Sequence, residues 1–478
     1  MFWMMTSPRA RGLLLAALMG LLAGGALALT ALPARAQALP PPAASAPPPT
    51  AEGDWHGALA IGARSLRLEF SLKRGPDGAL GGQMVSLDQL SPPLPVAEAR
   101  LADGTLSFTV PAVQGRYSGT WDGAKGGWSG VWLQGMPLPL VLTPGKYPPP
   151  GRPQEPKPPF PYEARPVAFD GGAPGVKLAG TLTVPPGAGP FPAVVLISGS
   201  GPQDRDETLM GHKPFMLLAD TLTRRGIVVL RYDDRGTAQS TGAFATALGR
   251  DFADDAAAAV AWLRGQPRID PARVGLLGHS EGGLIAPQVA TRDPAVAFVV
   301  LLAGPGVPGV EIMQVQRRAV LRAMGLPPAT VEPAAARGDA LDAAMLAAAS
   351  PEAARAEARR ILTVAGAPAD AVEAQAGMVA SPWYRDFLAH DPRPALKALK
   401  VPVLAVNGGV DVQVVASQNL PALREALAGN PAAEVVELPG LNHLFQTSAT
   451  GDPGEYGPLQ ETMSPTALAV ISDWIARR

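Results

Sequence analysis

Val274-Gly275-Leu276-Leu277-Gly278-His279-Ser280-Glu281-Gly282-Gly283 is the stretch from which the rest of this chain can be read. An apolar run ends in Gly278-His279-Ser280-Glu281-Gly282, and a helix-like segment, Leu284 to Ala290, follows. Strand, G-x-S-x-G, helix is the pattern of a serine nucleophile elbow. The serine must sit on a tight, strained turn so that its hydroxyl projects from the sheet edge. Side chains two positions away on either side would collide there, which calls for glycine at 278 and 282. The amide of the next residue, Glu281, then points to where an oxyanion would develop. In a chain with 53 glycines the pentapeptide alone could arise by chance. Its placement between a strand and a helix is what gives it meaning, and it requires an acid and then a histidine further along the chain.

Working outward from the elbow, strands and helices alternate. Pro192 to Ile197 reads as a buried strand that ends in Ser198-Gly199-Ser200-Gly201-Pro202. Gly226 to Tyr232 is a second strand, followed by Asp233-Asp234-Arg235-Gly236. Phe252 to Arg264 is an alanine-rich helix, and Ala297 to Ala303 is the strand after the elbow. Upstream, Pro166 to Phe169 and Leu178 to Val184 flank a glycine-rich turn, as an opening antiparallel hairpin does. Such alternation predicts a mostly parallel sheet with helices on both faces.

Gly199-Ser200-Gly201-Pro202-Gln203-Asp204-Arg205-Asp206 together with Gly278-His279-Ser280-Glu281-Gly282-Gly283 resembles the α/β-hydrolase superfamily, in its bacterial carboxylesterase and serine-aminopeptidase-like branch. The resemblance covers roughly residues 162 to 478 and implies an α/β-hydrolase fold with a serine–histidine–aspartate triad. The family places its carboxylate in the turn after a late strand, here Val401 to Gly408, and Asp411 fills that position. It places its histidine after the last strand, here Glu434 to Leu438, and His443 fills that one. The order Ser280, Asp411, His443 is the order this fold uses. The resemblance also implies that the loop after Ile197 gives a second oxyanion amide, assigned to Ser200 beside that of Glu281. Relatives often carry His-Gly where this chain has Ser198-Gly199. Asp233 and Arg235, in a turn similar to the family's D-x-R-G, are expected to brace loops.

Residues 306 to 396 change to amphipathic helix, with Met313 to Met324, Glu332 to Ala349 and Pro351 to Ala365 as the clearest segments. Inserted between strands, they should form a helical cap over the serine. Met313, Met324, Met345, Met378, Trp383, Tyr384 and Phe387 could line an apolar pocket or simply pack the cap. His390 precedes the expected acid, so chain order argues against it as the base.

The chain begins differently. Arg9 and Arg11 precede an apolar run from Leu13 to about Leu32, and Ala34-Arg35-Ala36 offers a cleavage site before Gln37. Residues 1–36 read as a signal peptide, with an uncleaved membrane anchor as the alternative. Cleavage near Ala36/Gln37 would give a periplasmic or secreted protein with no membrane span. Residues 37–50 are Pro/Ala-rich and read as a disordered spacer. Residues 51–146 carry short alternating runs such as Leu66 to Leu72, Leu106 to Val110, Tyr117 to Trp121 and Trp128 to Trp132. They predict a small all-β barrel or sandwich. Its tryptophans Trp55, Trp121, Trp128 and Trp132 are core or, less simply, a ligand platform. Residues 147–161 read as a proline-rich linker.

Composition narrows the remaining choices. With 478 residues and 47% hydrophobic content, two or three domains fit. Formal net charge is −1, and loss of Arg9, Arg11 and Arg35 with the leader would make it about −4. No basic patch points to nucleic acid. Absence of cysteine excludes disulfides, thiolate zinc sites and cysteine nucleophiles. Five histidines occur without H-E-x-x-H, so a zinc protease site is not expected. Neither metal nor organic cofactor is expected, and the expected substrate is a small-molecule ester. A peptidase or amidase on the same triad is the second reading, with Glu311, Glu332 and Asp339 as carboxylates that could hold a substrate ammonium. An inert binding protein whose β module captures a ligand is the third. The oligomeric state is left open.

Overall fold

The computed structural model describes residues 50–61, 64–88, 93–148, 150–367 and 369–478. The signal peptide and nearly all of the spacer read from the sequence lie outside the described residues. Two compact units divide the chain, the later one comprising Pro150–Arg478.

In the earlier unit the strands are β1 (Gly53–Ile61), β2 (Arg64–Arg74), β3 (Leu80–Ser86), β4 (Leu94–Ala102), β5 (Thr105–Val110), β6 (Gly115–Asp122), β7 (Gly127–Gln134) and β8 (Met136–Pro144). They close into an antiparallel barrel in chain order. Period-two patterning drives it: along β5 Leu106, Phe108 and Val110 point inward, as side chains two apart must on a pleated strand. Trp55, Trp128 and Trp132 are buried in the same core and Trp121 packs against it, so the tryptophans are core. The Tyr117 hydroxyl donates to the Trp128 carbonyl at 2.8 Å, which satisfies its one polar tip inside the barrel.

The later unit has the α/β-hydrolase fold. Its elements begin with β9 (Glu163–Asp170), β10 (Lys177–Val184), β11 (Phe191–Ile197), α1 (Pro214–Arg224), β12 (Val228–Tyr232), α2 (Gly249–Arg264), β13 (Ile269–His279), α3 (Gly282–Arg292) and β14 (Val299–Leu302). The helical cap follows as α4 (Gly309–Ala323), α5 (Pro328–Ala347), α6 (Pro351–Val364), α7 (Ala369–Val379), α8 (Pro382–Ala389) and α9 (Arg393–Ala398). Then come β15 (Val403–Gly408), α10 (Ala416–Ala426), β16 (Ala433–Leu438) and α11 (Pro465–Ala476). Among the described residues the sheet has eight strands in the order β16-β15-β14-β13-β11-β12-β10-β9. Pairing is antiparallel at β9/β10 and β10/β12 and parallel beyond.

The central strands read as continuous apolar runs because both faces are covered. On one face Val194, Leu196, Val300 and Leu302 pack with Phe215 and Leu222 of α1 and Trp474 of α11. Each such side chain contributes roughly 1.5–3 kcal/mol on burial. In the cap, Ser350 and Ser381 begin α6 and α8: their hydroxyls accept from Ala353 N and Tyr384 N, each at 3.2 Å, with Pro351 and Pro382 in the first turn.

Within residues 150–161, Arg152 and Gln154 are bonded to the end of the later unit. The Arg152 guanidinium donates to the carbonyls of Met210, Gly457 and Leu459, each at 2.8 Å. Gln154 donates to the Met463 carbonyl at 2.7 Å and accepts from Thr462 N at 2.6 Å.

Candidate active site

The parallel sheet brings four loops to the carboxyl ends of β11, β13, β15 and β16. Ser280 follows β13 with φ +52°, a left-handed conformation that costs a non-glycine residue energy. Its amide donates to the Leu302 carbonyl at 2.8 Å and its carbonyl accepts from Gly283 N at 2.9 Å, which stitches the turn to β14 and α3. A Cβ on Gly278 would run into the Gly282 carbonyl, and one on Gly282 into the Ile197 carbonyl. Both glycines are therefore required by backbone that cannot move aside.

Asp411 and His443 meet. His443 Nδ1 stands 2.8 Å from Asp411 Oδ2, and both residues are buried. Asp411 Oδ1 accepts from Gln413 N at 2.7 Å and Val414 N at 3.0 Å, so the carboxylate is held by its own turn. With Nδ1–H donated to a carboxylate, Nε2 is the basic nitrogen of His443. The histidine loop is shaped by buried Asn442, whose side-chain oxygen accepts from Leu444 N at 3.0 Å and Gln446 N at 2.9 Å. The His443 ring lies 4.9 Å, centroid to centroid, from that of His279, the chain neighbour of Ser280.

The two oxyanion positions can be compared with their neighbours. The Gly199 amide is engaged, donating to Glu207 Oε1 at 2.7 Å. Among the described residues, the Ser200 and Glu281 amides have no such protein acceptor. The Glu281 side chain is buried and accepts from the Trp383 indole N–H of α8 at 2.8 Å. Burial pushes its carboxyl up from the usual range, against the pull of hydrogen bonds from Trp383 and Ser200. Neighbouring Asp234 is also pushed up, by burial first. It accepts from Ser198 Oγ at 2.8 Å and Gln203 N at 3.0 Å.

Asp233 and Arg235 act as braces. Asp233 Oδ1 accepts from Arg205 N at 2.8 Å and Oδ2 from Arg205 Nη2 at 2.6 Å, and Arg235 pairs with buried Asp255 at 2.6 Å. A pocket beside the elbow has an apolar wall of Phe244, Phe252 and Ile285, rather than of the cap methionines. Met313 and Met345 are instead buried. Glu332 and Asp339, offered from the sequence as ammonium anchors, are committed to arginines: Arg318 pairs with Glu332 at 2.9 Å and with Asp339 at 2.8 Å. Among the described residues no group of three or more His, Asp or Glu side chains is placed to hold a metal ion.

Two residues of this site were passed over in the sequence, His279 and Glu207. His279 Nδ1 is 2.8 Å from Glu207 Oε1 and its Nε2 is 3.1 Å from the His443 carbonyl. His279 lies inside the elbow motif and Glu207 directly follows the Gly199–Asp206 motif, but a separation of 72 residues carries no sign of pairing.

The family model of the X-Pro dipeptidyl-peptidase (S15 family) matches residues 171–440, more than half of the chain. The chain belongs to the S15 family. The serine elbow falls inside the matched region, as does Asp411, and His443 lies just beyond it. Esterase EstD of Thermotoga maritima is 32% identical to this S15 member over 268 residues, 56% of this chain and 58% of that protein. The chain thus spans about 58% of the length of that relative. Among solved structures, the α/β hydrolase GrgF from Penicillium sp. sh18 has a TM-score of 0.42 at 20% identity, covering 66% of this chain and 98% of that one. The Pyrococcus furiosus esterase PF2001 has a TM-score of 0.39 at 19% identity, covering 58% and 83%.

Proposed function

We propose that this S15 member is an exported serine hydrolase that cleaves carboxylic esters through an acyl-enzyme. Ser280 attacks the acyl carbonyl while His443 Nε2 takes its proton, and Asp411 holds the imidazole and stabilises the imidazolium. The amides of Glu281 and Ser200 receive the oxyanion. His443 then protonates the leaving alcohol, and water releases the acyl group. The observation that carries this reading is the 2.8 Å His443–Asp411 contact, with the His443 ring 4.9 Å from that of His279, the chain neighbour of a serine at φ +52°. Similarity to EstD over 268 residues supports an ester as the substrate. Export rests on the leader-like residues 1–36, and recovery of mature protein beginning at Gln37 from a periplasmic or culture fraction tests it.

A peptidase reading is favoured by the matched family itself, whose name denotes X-Pro cleavage. Commitment of Glu332 and Asp339 to arginines leaves Glu311 of the three carboxylates that reading could use as ammonium anchors. Turnover of p-nitrophenyl acyl esters of graded length is compared with that of X-Pro-p-nitroanilides. Ester turnover with a chain-length optimum, abolished in Ser280→Ala, is expected. Dominant anilide turnover would move the assignment to a peptidase, and unchanged turnover in Ser280→Ala would sink the triad.

A further inference from the structure

A buried carboxylate outside the triad touches the parts that must be aligned for the triad to work. Glu207 lies in the loop after β11, is 5% exposed and has φ +52°, an unusual backbone for a glutamate. Its Oε1 accepts from the Gly199 amide at 2.7 Å, next to the proposed oxyanion donor Ser200. The same oxygen faces His279 Nδ1 at 2.8 Å. The other nitrogen of His279 faces the main-chain carbonyl of His443 at 3.1 Å. A Cβ built on Gly199 would stand 3.2 Å from Ser280 Cβ, so the loop that Glu207 holds lies directly against the nucleophile.

The proton inventory defines this chain of contacts. The His443 carbonyl can only accept, so His279 Nε2 carries a hydrogen. Glu207 Oε1 accepts from the Gly199 amide and also faces Nδ1, a place for a second donated hydrogen. With both ring nitrogens facing oxygen acceptors, the geometry suits the doubly protonated form of His279. Burial alone would lower its pKa, but the charge and hydrogen bond of Glu207 outweigh that and raise it. A buried pair of this kind is weak evidence of stability, because desolvation offsets much of its attraction. Its geometry says more: one end holds the oxyanion loop, the middle is the chain neighbour of Ser280, and the far end holds the backbone of the base.

We propose that Glu207 and His279 are positioning residues that lock the Gly199–Ser200 loop and the His443 main chain in register with Ser280, so that they govern kcat and leave KM nearly unchanged. This rests on the reading that Ser280 and His443 carry the chemistry. A misplacement of about 1 Å in such a site can cost about 100-fold in rate.

The test uses the full mature chain and p-nitrophenyl butyrate, with kcat expressed per serine titrated by a fluorophosphonate, so that loss of folded protein does not count as loss of rate. Glu207→Ala removes both arms and should lower kcat about 100-fold with KM within about threefold of wild type. Glu207→Gln keeps an oxygen that can accept from both Gly199 N and His279 Nδ1 and loses only the charge, and should recover kcat to within about tenfold of wild type. His279→Asn reaches Glu207 but falls short of the His443 carbonyl, and should lower kcat by about 10- to 100-fold. If Glu207→Ala does not fold, the other two variants decide. Wild-type kcat per titrated serine in His279→Asn, or a Glu207→Gln no better than Glu207→Ala, overturns the proposal. Failure of the fluorophosphonate to label Ser280 in the wild type overturns instead the triad reading beneath it.

Discussion

Acid should loosen the hydrolase unit through one buried histidine behind the catalytic loop. His212 is fully buried, with Nε2 2.8 Å from the Tyr456 carbonyl and Nδ1 2.9 Å from Thr462 Oγ1. Burial first, and the charge of Arg152 second, lower its pKa from 6.5 to about 4. The folded pKa is thus below the unfolded one, so between those two values the unfolded chain binds more protons. Stability from this group is complete above about pH 6.5 and is lost as pH falls towards about 4. At 1.36 kcal/mol per pH unit the whole effect is about 3 kcal/mol, of which about 2 kcal/mol disappears between pH 7 and pH 5. The perturbation is His212→Gln, whose amide offers a donor and an acceptor and does not titrate. Urea unfolding of both proteins at pH 7, 6 and 5, followed by tryptophan fluorescence, gives the difference in stability at each pH. Carboxyls raised by burial, such as Glu281 and Asp342, gain stability in acid and act in the opposite sense. They are common to both proteins and cancel in the difference. The wild-type advantage should shrink by about 2 kcal/mol from pH 7 to pH 5. A difference that stays constant within about 0.5 kcal/mol would refute the reasoning, because it would mean His212 charges as readily folded as unfolded.

Other consequences are more local. Asp411→Asn keeps an oxygen for the Gln413 and Val414 amides but loses the charge facing His443, so kcat should fall by about 10³–10⁴-fold with an unchanged circular dichroism spectrum. Gly282→Ala drives a methyl into the Ile197 carbonyl, with the Ser198 carbonyl 2.8 Å away, and should cost more than about 2 kcal/mol in urea unfolding. Trp383→Phe keeps an aromatic ring to stack on Phe387, 5.9 Å away in the wild type, but deletes the indole donor to Glu281. It should destabilise by about 1–3 kcal/mol, measured in the same way.

The elbow and the alternation around it were legible because each is a local pattern with a local cause. Glycine at 278 and 282, a continuous apolar strand before and a helix after do not depend on distant residues for their meaning. Strand β8 was harder: Met136-Pro137-Leu138-Pro139 argues against a strand. It is tolerated because β8 registers with β1 only at Trp55↔Pro144 and His56↔Thr143, leaving Pro137 and Pro139 on a side that needs no donor there. Helix α1 went unread because its start, Lys213-Pro214, gives no side-chain cap, and it is identified by the apolar face it lays on the sheet. The cap was legible as helix but not as pocket. Periodicity reports that Met313 and Met345 face something apolar without saying whether that is substrate or neighbouring helix.

Charge is where sequence reading stops earliest, and the two buried histidines show why. His212 and His279 are the same residue type, both shielded from water, each with one ring nitrogen against a main-chain carbonyl. They differ in the second partner. His212 faces a threonine hydroxyl, and burial with the charge of Arg152 lowers its pKa to about 4, whereas His279 faces the Glu207 carboxylate, which against burial raises its pKa. Neither partner is near in sequence, at separations of 250 and 72 residues. Both contacts converge on the same final loop. His279 holds the His443 carbonyl from the elbow side, and His212 holds Tyr456 and Thr462, to which Gln446 and the Ser464–Phe445 backbone bond are tied. A loop that must carry a proton acceptor after the last strand has little regular structure of its own. Besides Asn442, these two imidazoles hold it in place, and acid should act first on His212, whose pKa is lowered, rather than on His279, whose pKa is raised.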